Sequence, residues 1–336
     1  MTILSRSKKC GTIYIPQSTQ PAQQEGYEMR TLAICIREWL DTVKRMSVKP
    51  TSFDRLETTY KNFLNYPLAQ VAVSNLKTTD VQEYINTMVC DGYSLSTIKK
   101  QYHLISSYIR YATGEGVSIR PVCNNVVLPS KTQLKYQDSE SQISYYTKIE
   151  EYALRREFKS LDRVGYGAAL LMLETGLRVG ECLALKWEDV LWERRGLRVN
   201  KTLIRINNKR KMEVQNGAKS YTSNRTIPLS QEAMNLLEDL LTKTKNPRGY
   251  IFAGEDGQPI TYEAMRYQTN QACKAADVVY KGQHAFRHTF ATNCYNRGAD
   301  VKILSKILGH SNISVTFNIY IHLYGDALEE MREVVG

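Results

Sequence analysis

The chain has 336 residues, 42% of them hydrophobic, with 19 Gly, 9 Pro and a net charge of +11. That apolar share fills cores for about two domains at ~150 residues each, and the modest Gly and Pro content excludes collagen-like and low-complexity chains. No apolar run approaches the ~20 residues of a bilayer span, and the positive surplus points to a polyanionic partner, nucleic acid foremost.

Residues 1–26 are rich in Ser, Thr and Gln and read as a tail; they lack the apolar stretch of a signal peptide. Helical periodicity begins at Tyr27 and runs to Met46, with Leu32, Ile36, Trp39, Leu40 and Val43 at three- and four-residue steps. Thr51 to Leu64 repeats the pattern with Phe53, Leu56, Tyr60 and Phe63/Leu64. A third helix opens at Thr79, turns Val81, Tyr84, Ile85 and Met88 inward, and stops at Asp91-Gly92. Ser94 or Ser96 caps a fourth, whose apolar residues Ile98, Tyr102, Ile105 and Ile109 run to Gly114. Lys99, Lys100 and Arg110 make one face of this last helix basic. The four helices constitute a domain over 27–120, and the patternless, polar segment 121–145 reads as a linker.

The second region, 146–322, is mixed. Tyr146–Lys159, Gly165–Glu174 and Val179–Leu185 read as helices, with Gly176 a stop between the second and third. Leu197–Ile206 alternates as a strand, Lys211–Val214 is a pairing partner, and Arg225–Leu229 closes a small sheet. Everything after Pro228 reads as helical, with caps or breaks near Ser230, Thr261, Gly298 and Gly309. The expected fold is mainly α with a small antiparallel β-sheet. The 7 cysteines are odd in number and form no CxxC pair, which reads as reduced thiols in a cytoplasmic chain.

Candidate chemistry lies in this second region. Arg194, Arg195, Arg198, Lys201, Arg205, Lys209, Arg210, Lys211, Lys219 and Arg225 follow closely on one another, with Glu213 the one carboxylate among them. Such a run suits a phosphate backbone, although Lys and Arg also guard sheet edges against aggregation. Arg178 stands where one helix ends and the next begins, a position that opposes the helix dipole unless an anion binds or Glu181 pairs with it. In Gln283-His-Ala-Phe-Arg-His288, the residues His284, Arg287 and His288 project from one helical face. Two histidines at that spacing can hold zinc, but no acidic third ligand is near, and a phosphate fits the bidentate arginine better.

These pieces assemble into a resemblance. TGLRVGECLALKWEDV, AKSYTSNRTIPLS, HAFRHTFAT and LGHSNISVTFNIYIH occur in the order and approximate spacing of the tyrosine recombinase (phage integrase) family. SLSTIKKQYHLISSYIRYA resembles that family's core-DNA-binding domain. The resemblance implies a C-shaped clamp around double-stranded DNA, built from the four-helix domain and a catalytic domain. It implies Tyr320 as the nucleophile that forms a 3′-phosphotyrosyl bond, Arg178 and Arg287 as phosphate clamps, and Lys219 as general acid. His284 would be general base or orienter of the tyrosine, and His310 a hydrogen-bond donor to the phosphate. Lys209, Arg210 and Lys211 are alternative acids, and Tyr324 an alternative nucleophile. DNA contacts would come from Lys99, Lys100, Arg110, Arg205, Lys209, Arg210, Lys211 and Arg225. Such enzymes exchange strands through a Holliday junction as homotetramers without ATP, metal or other cofactor, in some cases with accessory DNA-bending or directionality factors.

An apolar stripe of Ala327, Leu328, Met331, Val334 and Val335 marks a C-terminal helix over 323–336. It either covers its own domain or, as the resemblance implies, docks on a neighbouring protomer. The function expected is therefore a mobile-element integrase. A dimer resolvase or inversion recombinase, a type IB topoisomerase-like enzyme and a non-cleaving DNA-binding regulator are the alternatives.

Overall fold

A computed structural model describes residues 30–116, 120–130, 134, 144–160, 163–205, 212–216, 224–310 and 312. Lys209, Arg210, Lys211, Lys219, Tyr320, Tyr324, the 1–26 tail and the 323–336 helix lie outside the described residues. The chain divides into two compact units, Met1–Ser139 and Glu140–Gly336.

The first unit is helical. Helix α1 (Leu32–Trp39) continues through a π-helical turn (Leu40–Lys44) and a last turn (Arg45–Ser47). It is followed by α2 (Pro50–Phe63), α3 (Thr78–Cys90) and α4 (Leu95–Gly114). Leu32, Ile36, Trp39 and Leu40 of the expected face are buried, as are Phe63, Val81, Ile85, Met88, Ile98 and Ile105. Ser94 is the cap of α4, accepting the Thr97 N–H at 3.3 Å. Lys99, Lys100 and Arg110 are exposed on that helix. The division between the two units, after Ser139, falls within the 121–145 segment expected as a linker, and the described first part of that segment packs on the first unit. Val122, Cys123 and Leu134 are buried against the first unit's core, with Val126 and Leu128 packed on it. A few apolar residues without periodicity are enough to tie a segment to a core, and pattern reading does not see them.

The second unit is built around α6 (Val164–Thr175), which is buried on nearly every side. A helix apolar all round must be enclosed by others. Around it stand α5 (Lys148–Phe158), α7 (Val179–Leu183), α8 (Gln231–Lys243), α9 (Tyr262–Ala275) and α10 (Gln283–Asn296). The last described helix is α11 (Val301–Leu308). Several of the helix starts have a local cause. Thr147 and Glu150 form a reciprocal capping box on α5, and Ser230, Thr261 and Asp300 cap α8, α9 and α11.

The strands differ from expectation in one respect. The 197–206 run is two strands, β2 (Gly196–Val199) and β3 (Lys201–Arg205), split at Asn200, a residue type depleted in strands. β2 lies between β1 (Val190–Leu191) and β5 (Arg225–Pro228), with Val199 opposite Arg225. β3 pairs instead with β4 (Met212–Asn216), giving a separate two-stranded ribbon. The stretch after α8 is also not continuously helical: Lys186 bridges Tyr250 and Ala253 bridges Pro259 before α9 begins.

Candidate active site

Four elements of the second unit end at one place, and their termini make the site. Helix α6 closes on Gly176, whose φ of +64 is open to glycine at little cost. A Cβ at Gly176 would also lie 2.4 Å from a Phe290 ring carbon and 2.7 Å from Leu308. The turn leads to Arg178, the extended residue that precedes α7. Its backbone N–H donates to Glu181 Oε2 at 3.0 Å and its Nη1 donates to Glu181 Oε1 at 2.9 Å. The i,i+3 pairing anticipated for these residues is thus present.

Glu181 is buried and has a second cation. Arg225 Nη1 and Nη2 donate to its two oxygens at 3.1 and 2.9 Å. Burial alone would raise the pKa of this carboxyl; the hydrogen bonds and charge of Arg225, with Arg178 behind them, hold it at about 2.

Three guanidiniums then converge on the C-terminal end of α11. Arg225 Nε donates to the carbonyl of Ile307 at 2.5 Å, Arg287 Nη2 to that of Leu308 at 2.9 Å, and Arg178 Nη2 to that of Gly309 at 2.8 Å. A helix end leaves its last carbonyls unpaired and carries partial negative charge, so cations satisfy it twice over. Gly309, at φ +68, turns the chain so that His310 follows directly. Arg287 reaches in from α10, is only 4% exposed, and donates from Nη1 to the carbonyl of Gly176 at 2.8 Å. Its Nη2 also lies 2.7 Å from His310 Nε2. A guanidinium can only donate, so this ring nitrogen is the acceptor and the imidazole proton resides on Nδ1.

The electrostatics follow from crowding. Burial, then Arg178, pushes the Arg287 pKa down to about 9, with Glu181 opposing. A guanidinium stays charged in proteins, so Arg287 is a buried cation with a second cation, Arg178, beside it. Burial, then Arg287 and Arg178, lowers His310 to about 4. Burial, then His284 and Arg287, lowers His288 to about 4, and His288 Nδ1 is buried with no hydrogen-bond partner among the described residues. His284 is exposed at the rim near the start of α10, yet partial burial and the charges of Arg287 and Arg178 lower it too.

The structure therefore brings together Arg178, His284, Arg287 and His310. Arg225, expected among the DNA contacts, has a side chain that is 8% exposed and committed to Glu181 and Ile307. Other cations of the basic run are also opposed within the fold. Arg198 pairs with Asp189, Lys201 with Glu188 and Asp189, and Arg205 with Glu263 at 3.1 Å. These carboxylates come from outside the run, so counting along the sequence misses them. Also missed was a network that holds α10 in place. Arg155 bridges Glu151 and Glu174 at 2.7 and 2.6 Å, Asn293 donates to Glu151 at 2.7 Å, and Ser230 donates to Glu174 at 3.0 Å. The i,i+4 spacing of Glu151 and Arg155 is the signal in the sequence that points to it.

Comparison with known proteins gives a consistent picture. The sequence matches the Phage integrase family over residues 123–326. A tyrosine recombinase XerC-like protein of Caldanaerobacter subterraneus subsp. tengcongensis is 30% identical over 320 residues, spanning 87% of this chain and 79% of that protein. The integrase of Staphylococcus phage L54a is 25% identical, spanning 88% of this chain and 90% of its own length. Among solved structures, the Tn1549 transposon integrase in complex with a circular intermediate DNA matches with a TM-score of 0.74 at 23% identity, over 90% of this chain and 99% of that one. A lambda integrase tetramer bound to a Holliday junction matches with a TM-score of 0.64 at 17% identity, over 89% of this chain and 80% of that one. At these identities the two structures establish the shared fold.

Proposed function

The chain belongs to the phage integrase family of tyrosine recombinases, enzymes that cleave and rejoin DNA, and from that premise we propose that it integrates and excises a mobile element with Tyr320 as its nucleophile. The observation that carries the reading is the convergence of Arg178, Arg287 and His310 on one cation-rich pocket with His284 at its rim. A phosphodiester under attack gathers negative charge on its non-bridging oxygens, and fixed donors in an enclosed site stabilise that charge best.

In the proposed step the Tyr320 hydroxyl attacks phosphorus and passes its proton to His284. The bond to the 5′-oxygen breaks as Lys219 protonates it, leaving a 3′-phosphotyrosyl ester and a free 5′-hydroxyl. Attack by the 5′-hydroxyl of a partner strand reverses the chemistry, and exchange of one strand pair gives a Holliday junction. Bond energy is kept in the ester, so ATP is not required. A phenol with pKa ~10 needs such help at neutral pH. An arriving phosphate would take the Arg287 donor away from His310, and its charge would raise both histidines' pKa values, letting His310 offer a proton in turn. Lys99, Lys100, Arg110 and Arg205, which are exposed, are proposed to meet the duplex backbone, joined by Lys209, Arg210 and Lys211. Homotetramer assembly through the 323–336 helix, with accessory bending or directionality factors, completes the proposal. No helix among the described residues is long and apolar enough to cross a membrane, and we place the enzyme with cytoplasmic DNA.

The test is covalent capture. Protein incubated with a nicked trapping substrate bearing the element's end should yield a denaturant-resistant DNA adduct, unaffected by EDTA. The adduct should vanish in Tyr320→Phe and fall at least 10²-fold in Arg178→Ala or Arg287→Ala, the scale of a lost oxyanion donor. An adduct surviving Tyr320→Phe would overturn the nucleophile assignment. Site-independent relaxation of supercoiled plasmid would favour the topoisomerase-like reading, and DNA binding without any adduct the regulator.

A further inference from the structure

Arg225 makes three internal hydrogen bonds, to Glu181 and Ile307, and has almost no surface. It opens β5, the strand that follows the Lys219 segment in sequence. Its Nη atoms hold both oxygens of Glu181, which in turn fixes the backbone and side chain of Arg178. Its Nε holds the Ile307 carbonyl, within the same helix end whose next two carbonyls take Arg287 and Arg178. One planar guanidinium thus links the start of β5, the Arg178 turn and the turn that presents His310.

Building on the recombinase reading, we propose that Arg225 is a positioning residue for strand cleavage, which sets the Arg178 turn, the His310 turn and the strand after Lys219 in mutual register. It acts through Glu181 and the Ile307 carbonyl, without touching DNA. The directions of its three hydrogen bonds come from a rigid fork that lysine, a point charge on a flexible stem, does not reproduce. Misplacement of a reacting group by ~1 Å costs on the order of 10²-fold in rate.

The test separates positioning from DNA contact. R225K, R225M, E181Q and the double variant E181Q/R225M are compared with wild type for DNA affinity across salt and for single-turnover cleavage of the trapping substrate at saturating protein. R225K is expected to lose on the order of 10²-fold in saturated cleavage, with affinity within about threefold and an unchanged salt slope, since no phosphate contact is removed. The double variant removes both members of the buried pair, which guards against misfolding from a single stranded charge. Its cleavage loss should match that of the worse single variant, because the two residues act through one network. In R225M, which removes the charge that R225K keeps, reduced affinity with a salt slope smaller by about one, together with normal saturated cleavage, would make Arg225 a phosphate contact and overturn the proposal. Fully additive losses in the double variant would overturn it as well. A wild-type adduct with unimpaired R225K cleavage refutes only this role, whereas absence of any wild-type adduct refutes the recombinase reading itself.

Discussion

Replacing Glu181 with glutamine probes the electrostatic centre of the second unit. The carboxylate is buried at 6% exposure and accepts from the Arg178 N–H and Nη1 and from both Arg225 Nη atoms. The gap between its pKa of about 2 and the ordinary value of 4.5 corresponds to about 3 kcal/mol. That agrees with the ~3–5 kcal/mol lost when one member of a buried ion pair is removed. Glutamine keeps the shape and one acceptor oxygen, but its amide nitrogen donates towards guanidiniums that also donate, so one acceptor and the charge are both lost. For a unit of this size, about 3 kcal/mol lowers the unfolding midpoint by roughly 6–12 °C. The folded pKa lies below the unfolded one, so this stabilisation is complete above about pH 4.5 and fades as pH falls through about 2. The deficit of the variant should therefore be constant between neutrality and about pH 5. The assay is urea unfolding followed by tryptophan fluorescence in a Trp39→Phe background, which leaves Trp187 and Trp192 to report on the second unit alone. A loss under about 1 kcal/mol at unchanged m-value would refute the view that this carboxylate anchors the arginine cluster.

Gly176→Ala should cost roughly 2–4 kcal/mol, because the left-handed backbone disfavours a side chain and its Cβ would overlap Phe290; thermal unfolding measures this, and the adduct assay should fall with it, since the Gly176 carbonyl holds Arg287. Stability should decline as pH falls from about 6.5 to 4, because His288 and His310 have folded pKa values of about 4 and the unfolded chain takes up protons first. His288→Gln should flatten that slope by about 2 kcal/mol after allowance for solvent screening, read from urea midpoints at successive pH values. Arg155→Met strands Glu151 and Glu174 and should destabilise by about 2–4 kcal/mol, with α10 amides, followed by hydrogen exchange, losing protection more than those of α8.

The sequence by itself determined the helical elements and the residues they bury. Apolar periodicity located α1 to α4 and their inward faces, and local chemistry at Ser94, Gly176, Ser230, Thr261 and Gly309 set ends of α4, α6, α8, α9 and α11. It also assigned Arg178, His284, Arg287 and His310 to one site, through motif order rather than through any visible proximity. Side-chain pattern and capping act over a few residues, which is why they can be read from a string. Tertiary structure decided what depends on partners far along the chain. The basic run looked unopposed until Glu181, Asp189, Glu188 and Glu263 met it from other elements. Arg225 turned from an expected surface cation into an interior one because its acceptors, Glu181 and Ile307, are brought beside it only when α7 and α11 close against β5. A charge is free or committed according to what folding places within a few ångströms, and that distance is a property of the packed chain.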